Sequence, residues 1–166
     1  MTGTEMRPDA SLRPPAAAGI PHPRPFAIRL RPGDAGLSTT VAHVSNVEYV
    51  RWLDRAAELH ADALGHTRAD MAASGRMWFV ARHEVDYRAE AFPGDELEVF
   101  TWVSSMERTT CMRETLVWRV RDGRAVCRAR TRWAFVDLGS RRPARIPEEI
   151  AAAFEPLERA ACTSRS

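Results

Sequence analysis

His43-Val44-Ser45-Asn46-Val47-Glu48-Tyr49-Val50-Arg51-Trp52-Leu53 is the stretch on which the reading of this chain turns. Ser45, followed three residues later by Glu48, has the S-x-x-E spacing of a capping box, in which each side chain satisfies a free amide of a helix start. Beyond it, Tyr49, Val50, Leu53, Ala56, Ala57, His60, Ala63 and Leu64 recur at helical spacing, and Gly65 is a natural stop. A helix this long and this apolar needs other elements wrapped around it.

Four strand-like segments follow. Trp78 to Arg88 alternates, with Phe79, Ala81, His83, Val85 and Tyr87 on one side, and Pro93-Gly94-Asp95 makes a turn. Leu97, Val99, Thr101 and Val103 alternate with Glu96, Glu98, Phe100 and Trp102. Met112 to Val120 comes next, closed by the hairpin signal Asp122-Gly123. In the last segment Ala125, Cys127, Ala129, Thr131, Trp133 and Phe135 oppose Val126, Arg128, Arg130 and Arg132. Upstream, Phe26 to Leu30 reads as a strand and Arg31 to Ala42 as a loop. Residues 1–25, rich in Pro, Ala and Arg, read as a disordered arm. Glu148 to Arg159 reads as a short amphipathic helix. The domain is expected over 26–160, with a mobile tail at 161–166.

The 166 residues suit one domain, and 45% hydrophobic with 28% charged is a globular composition, which excludes disorder of the whole. No run of about 20 apolar residues could cross a membrane, and no secretory h-region opens the chain. With three cysteines, Cys111, Cys127 and Cys162, lacking metal-ligand spacing, the expectation is a reduced, cytoplasmic protein with no metal. All 24 basic residues are Arg, against 22 acidic ones. The absence of Lys excludes a Schiff-base lysine and a Walker-type phosphate loop. The near-balanced charge, without a basic tail, argues against nucleic-acid binding.

The order of a strand, a long helix and four antiparallel strands resembles the hotdog fold, an α+β architecture in which a curved antiparallel sheet of about five strands wraps a central helix. Its local sequences are similar to the 4-hydroxybenzoyl-CoA thioesterase-like branch. His43 to Leu53 resembles that family's H-V-N-N-x-x-Y-x-R-[WY]-L. Asp86-Tyr87 followed by Pro93-Gly94-Asp95-Glu96-Leu97, and Phe135-Val136-Asp137 followed by Arg145-Ile146-Pro147, resemble its strand passages. The chain departs from the family where many relatives carry Asp four residues before the His. Thr39 stands there, and Val41 stands where acyl-carrier-protein thioesterases have Asn. Asp34-Ala35-Gly36 is similar to an upstream Asp-Ala-Gly of another branch, with a longer gap to His43. Enediyne polyketide thioesterases also lack the loop Asp and carry a run like Tyr49-Val50-Arg51-Trp52, a likeness that points toward secondary metabolism.

The resemblance implies an acyl thioester hydrolase for acyl-CoA or acyl-carrier-protein substrates, working as a homodimer or homotetramer without a cofactor. Thioester hydrolysis needs an activated water and donors for an oxyanion, and the amides after His43 at a helix N-terminus supply donors. His43 is the candidate base, with Asp34 to orient it or take its role. Glu48 is explained by the capping box, and it also sits where a carboxylate could attack from the helix. Thr39 and Thr40 position water or turn the loop. Asn46 caps the helix or meets substrate, and Tyr49 is core or pocket wall. Arg51 binds phosphate or is solvated. Arg128 and Arg130, on one strand face with Arg132, are phosphate contacts or solvated charge, as are Arg141, Arg142 and Arg145. His60 reads as a satisfied core histidine. A hotdog dehydratase or cyclase and a non-catalytic acyl binder remain alternatives.

Overall fold

A computed structural model describes residues 3–159. Helix α1 spans Asn46–Ala63 and buries Tyr49, Trp52, Leu53, Ala56, Ala57, Leu59 and His60. Trp52 and Leu59 widen the expected stripe because the sheet curls around the helix. The helix ends as the sequence indicates: Gly65 has φ +79°, a conformation that favours glycine, and His66 N–H reaches back to the Ala61 carbonyl at 2.9 Å.

The sheet contains β1 (Glu5–Pro8), β2 (Phe26–Arg31), β3 (Arg76–Tyr87), β4 (Leu97–Met106), β5 (Thr110–Arg119) and β6 (Arg124–Asp137), in the order β1-β2-β4-β5-β6-β3. All these pairings are antiparallel. This is the hotdog arrangement. A short helix α2 (Arg68–Ala73), capped by the Thr67 side chain, leads into β3. None of the helices among the described residues is long and apolar enough to cross a membrane.

The concave face carries Val99, Val103, Val117, Cys127, Trp133 and Phe135 against α1 and the segment after β6. The convex face carries Phe100, Trp102, Leu116 and Trp118. A bulge near Ala81 interrupts β3. Before it, Trp78 and Val80 lie opposite Phe135 and Trp133; after it, His83, Val85 and Tyr87 lie opposite Thr131, Ala129 and Cys127. Simple alternation put Phe79 and Ala81 on the side of His83. The extra residue of a bulge reverses the phase, so that expectation is corrected.

Residues 3–25 are not a free arm. β1 pairs with β2, and the segment after it crosses the convex face, where Leu12, Ala18 and Ile20 pack with Phe100, Trp102, Leu116 and Trp118. Polar ties hold it. Asp9 accepts from Arg29 at 2.6 Å, the His22 ring lies 2.8 Å from the Glu155 carbonyl, and the Arg128 guanidinium donates to the Ala18 carbonyl. The composition misled because a few apolar side chains suffice when a ready-made apolar face receives them. Trp102 and Trp118 are therefore covered within one chain, not left for another subunit.

At the other end, the expected helix over Glu148–Arg159 is shorter. Helix α3 stops at Ala153, Phe154 is buried, and β7 (Glu158–Arg159) pairs parallel with β4. Pro156 explains the break, since proline removes an amide and disfavours helix just before it. The tail expected at 161–166, and residue 160, lie outside the described residues.

Candidate functional site

The loop between β2 and α1 holds a short 3-10 turn at Asp34–Gly36, then folds back on itself. Ser38 N–H bonds the His43 carbonyl and Ser45 N–H bonds the Gly36 carbonyl, each at 2.9 Å. A third tie, from Val44 N–H to the Ala91 carbonyl at 2.9 Å, joins this loop to the segment after β3. That segment is held in turn by Arg119, which donates to the Glu90 carbonyl and forks onto Asp122 at 2.9 and 2.7 Å. Buried Asp95 accepts from Phe92 N–H at 3.0 Å. The result places the Glu90 carboxylate 3.9 Å from His43 Nδ1.

His43 is half-buried, and its Nδ1 is buried without a hydrogen-bond partner. Asp34 is exposed in the 3-10 turn of this loop. The carboxylate of Glu90 stands beside His43, and no local motif marks it, since it lies 47 positions downstream in another loop. Thr39 and Thr40 are exposed in the same loop as His43, with Thr40 N–H on Ser38 Oγ at 3.4 Å.

The expected capping box is not formed. Ser45 occupies the N-cap with extended backbone but makes no side-chain cap bond. The amides of Asn46 and Val47, in the first turn, are without a partner among the described residues, while Glu48 N–H bonds the Ser45 carbonyl at 3.0 Å. Two free amides at the positive end of an 18-residue helix, just past His43 in the chain, are donors of the kind that can hold a developing oxyanion. The exposed Tyr87 hydroxyl donates to the Asn46 carbonyl at 3.3 Å, which fixes the end of β3 beside this spot.

Glu48 turns inward instead of back to Ser45. Its Oε1 accepts from Trp52 Nε1 at 3.2 Å and Thr4 Oγ1 at 3.0 Å, and its Oε2 accepts from Arg51 at 3.1 Å. The carboxylate thus ties the N-terminal segment to the helix, and Arg51, otherwise exposed, neutralises it. Tyr49 is core: it packs on Trp52 and Tyr87 with centroids 4.7 and 5.3 Å apart, and burial pushes its hydroxyl up to about 12. Arg128 and Arg130 are not brought to His43. Arg128 is engaged by Ala18, and Arg130 lies within 4.0 Å of Glu84 and Glu114.

A cavity of about 370 Å³ lies further along α1, between Ala57, α2, the first half of β3 and Phe154. Ala57 is eleven residues from Asn46, roughly 16 Å at about 1.5 Å per residue. Into its lining β5 brings Arg113, which is buried. Arg113 Nη1 donates to His60 Nδ1 at 3.0 Å and Thr101 Oγ1 at 3.1 Å, and the guanidinium carbon stands 5.6 Å from the Phe154 ring centroid. Burial lowers Arg113 to about 10, which still leaves it charged at neutrality. Burial, and then Arg113, press His60 down to about 2. His60 is thus a neutral core histidine, stacked on Phe26 at 4.8 Å. Burial also pushes the Cys111 thiol up to about 12, so it is no nucleophile. No local motif marks Arg113; the signal the sequence carries is an arginine in phase with Cys111 and Val117 on the inward side of a strand. Among the described residues, no cluster of three His, Cys, Asp or Glu side chains could hold a metal ion.

Comparison with known proteins adds the family. The Thioesterase-like superfamily matches residues 36–154. The chloroplastic acyl-(acyl-carrier-protein) hydrolase FATB3 of Cuphea viscosissima is 25% identical over 146 residues, covering 87% of this chain and 35% of the relative. A chloroplastic palmitoyl-acyl carrier protein thioesterase of Arabidopsis thaliana is 32% identical over 102 residues, covering 61% and 24%. The acyl-CoA thioesterase YbgC of Haemophilus influenzae is 28% identical over 134 residues, covering 80% and 95%. The chain thus spans about a third or less of the plant relatives. In three dimensions it is similar to a 1,4-dihydroxy-2-naphthoyl-CoA thioesterase from Synechocystis, with TM-score 0.73 and 16% identity over 80% of this chain and 96% of the other. A putative oleoyl thioesterase from Lactobacillus plantarum has TM-score 0.75 and 18% identity over 84% and 54%. These two likenesses show the fold.

Proposed function

The chain belongs to the Thioesterase-like superfamily, and from that premise we propose that it hydrolyses acyl thioesters of CoA or acyl carrier protein. The observation that carries this reading is the open N-terminus of α1, where the Asn46 and Val47 amides follow closely on His43 in the chain and have no partner among the described residues. In the proposed step, His43 takes a proton from water as the water oxygen attacks the thioester carbon. The carbonyl oxygen becomes an oxyanion held by the two amides, preformed donors for the charge that develops there. Collapse breaks the C–S bond, and the thiolate leaves with the proton from His43, releasing a carboxylic acid and a thiol. Glu90, close to His43 Nδ1, stabilises the transient imidazolium.

The proposal extends to a homodimer. β3 is the outer strand of the sheet on its side, twelve residues long, with Phe79, Val80 and Tyr87 exposed. A long bare edge of this kind favours pairing with a second copy. Antiparallel pairing of two β3 strands about a two-fold axis brings the Tyr87 end of one protomer beside the cavity end of the other. The helix N-terminus of one subunit then meets the cavity of its neighbour. The run Tyr49-Val50-Arg51-Trp52 supports a place in polyketide metabolism only weakly, because Tyr49 and Trp52 are core residues. Hydrolysis of a panel of acyl-CoAs and acyl carrier proteins, followed by free-thiol release, tests the activity. Loss of 18 Da from the acyl group without thiol would instead favour a dehydratase.

A further inference from the structure

Arg113 brings unpaired donors to this cavity. Trp133, on the neighbouring strand, also lines it, but its Nε1 is closed off within the protein and has no partner among the described residues. The two hydrogen bonds of Arg113 both leave from Nη1, so its remaining N–H groups carry none among the described residues. No carboxylate among the described residues pairs with Arg113 either. The acids at the cavity, Asp54 and Glu58, are already matched: Asp54 to Arg68 at 2.8 Å, and Glu58 to Arg55 at 2.5 Å. His66 and Arg68 also border it, and the rest of the lining is apolar, with Met71, Met77, Trp78, Val103 and Phe154 prominent.

A buried guanidinium without a counter-charge is unfavourable unless something completes it. An apolar wall around such a charge fits a ligand that is mostly hydrocarbon and ends in an anionic oxygen group. The space holds on the order of ten non-hydrogen atoms at about 30 Å³ each. We propose that this cavity receives the far end of the acyl group and that Arg113 selects acyl chains ending in a carboxylate over plain fatty acyl chains. The proposal rests on the thioesterase reading for the word acyl, and on the dimer for the route from the helix N-terminus. The cavity and its unmatched donors stand without either. A guanidinium forks onto a carboxylate through two parallel N–H bonds, and its unused N–H groups suit that geometry.

The test compares octanoyl-CoA with octanedioyl-CoA, which differ by the distal carboxylate, on the full chain. The expected result is a kcat/KM at least about 10-fold higher for octanedioyl-CoA, because a site built to bond a polar group rejects the analogue that lacks it. In Arg113→Met the ratio should fall to about one or below. Equal rates, or a preference for octanoyl-CoA, in the unmodified protein overturn the selection. If neither ester is hydrolysed, the thioesterase reading fails on its own, and the cavity is tested by tryptophan fluorescence with free octanoate and 1-octanol. Octanoate should bind and octanol should not, with binding lost in Arg113→Met. Equal binding of the two, or none, overturns the proposal. Should Arg113→Met not fold, the ester pair and the acid–alcohol pair still decide the matter on the unmodified chain.

Discussion

Gly36 and Glu48 are packed so closely that a Cβ on Gly36 would lie 2.6 Å from the Cγ of Glu48. The glycine is needed there for space. Its missing side chain lets the Glu48 carboxylate lie beneath the loop, where Thr4, Arg51 and Trp52 converge on it. Gly36→Ala should therefore displace that carboxylate and destabilise the fold by about 1–3 kcal/mol, read from chemical denaturation.

Glu48→Gln separates a structural from a catalytic carboxylate. Gln loses the ion pair with Arg51 and exchanges one acceptor for a donor, so stability should fall by about 1–3 kcal/mol. Activity per folded molecule should stay within about threefold, since the carboxylate faces Thr4 and Trp52. A hundredfold loss of kcat in a folded variant would move the chemistry onto the helix.

His43→Ala should do the opposite. Its Nδ1 has no hydrogen-bond partner among the described residues. The melting temperature should move by no more than a few degrees while kcat falls about 10²–10⁴-fold, the usual worth of a positioned base. Glu90→Gln should give a smaller loss, about 10-fold or less, because an exposed carboxylate 3.9 Å away is a screened partner. A pH profile of kcat/KM that shifts in Glu90→Gln would show that the effect runs through His43.

Removing residues 1–25 should be costly. The deletion uncovers Trp102 and Trp118 and takes away β1, so more than about 3 kcal/mol of stability should be lost by area burial alone. Thermal melting and the binding of a hydrophobic dye would register it. A truncated protein that melts with the full chain would show that the N-terminal segment does not support the convex face.

Acid should weaken the fold through His60. Its pKa is about 2 when folded, against 6.5 in the unfolded reference, so between those values the unfolded chain binds a proton that the native one refuses. The His60 contribution is intact above about pH 6.5 and is lost as pH falls below it, at up to about 1.4 kcal/mol per pH unit. Denaturation at about pH 7 and about pH 5 should show a shallower decline in His60→Asn, which keeps an acceptor for Arg113 but does not titrate.

Light scattering at micromolar concentration should give twice the chain mass, with pairing through β3 burying more than about 1,200 Å² in total. A monomer would remove both the dimer and the shared site proposed from it.

The order of elements from β2 to β6, the boundaries of α1 and the inward faces of β4 and β6 were legible in the sequence alone. Each is a local property: a period of 3.6 or 2, a glycine that must adopt positive φ, a turn dipeptide. The nearness of His43 to a helix start was legible for the same reason. Everything that joins distant segments had to wait for the tertiary structure. Ser45 and Glu48 match a capping motif, but Trp52 and Thr4 compete for the carboxylate and win, because a buried acceptor must satisfy the donors buried with it. The leader has too few apolar residues to fold alone, yet it packs on the convex face because the sheet presents Phe100, Trp102, Leu116 and Trp118 together. Glu90 reaches His43 only because Arg119 holds its loop, and Arg113 meets Trp133 and Phe154 only where the curled sheet closes on α1. Such contacts depend on where the chain returns in space, and residue spacing along one segment carries no record of that.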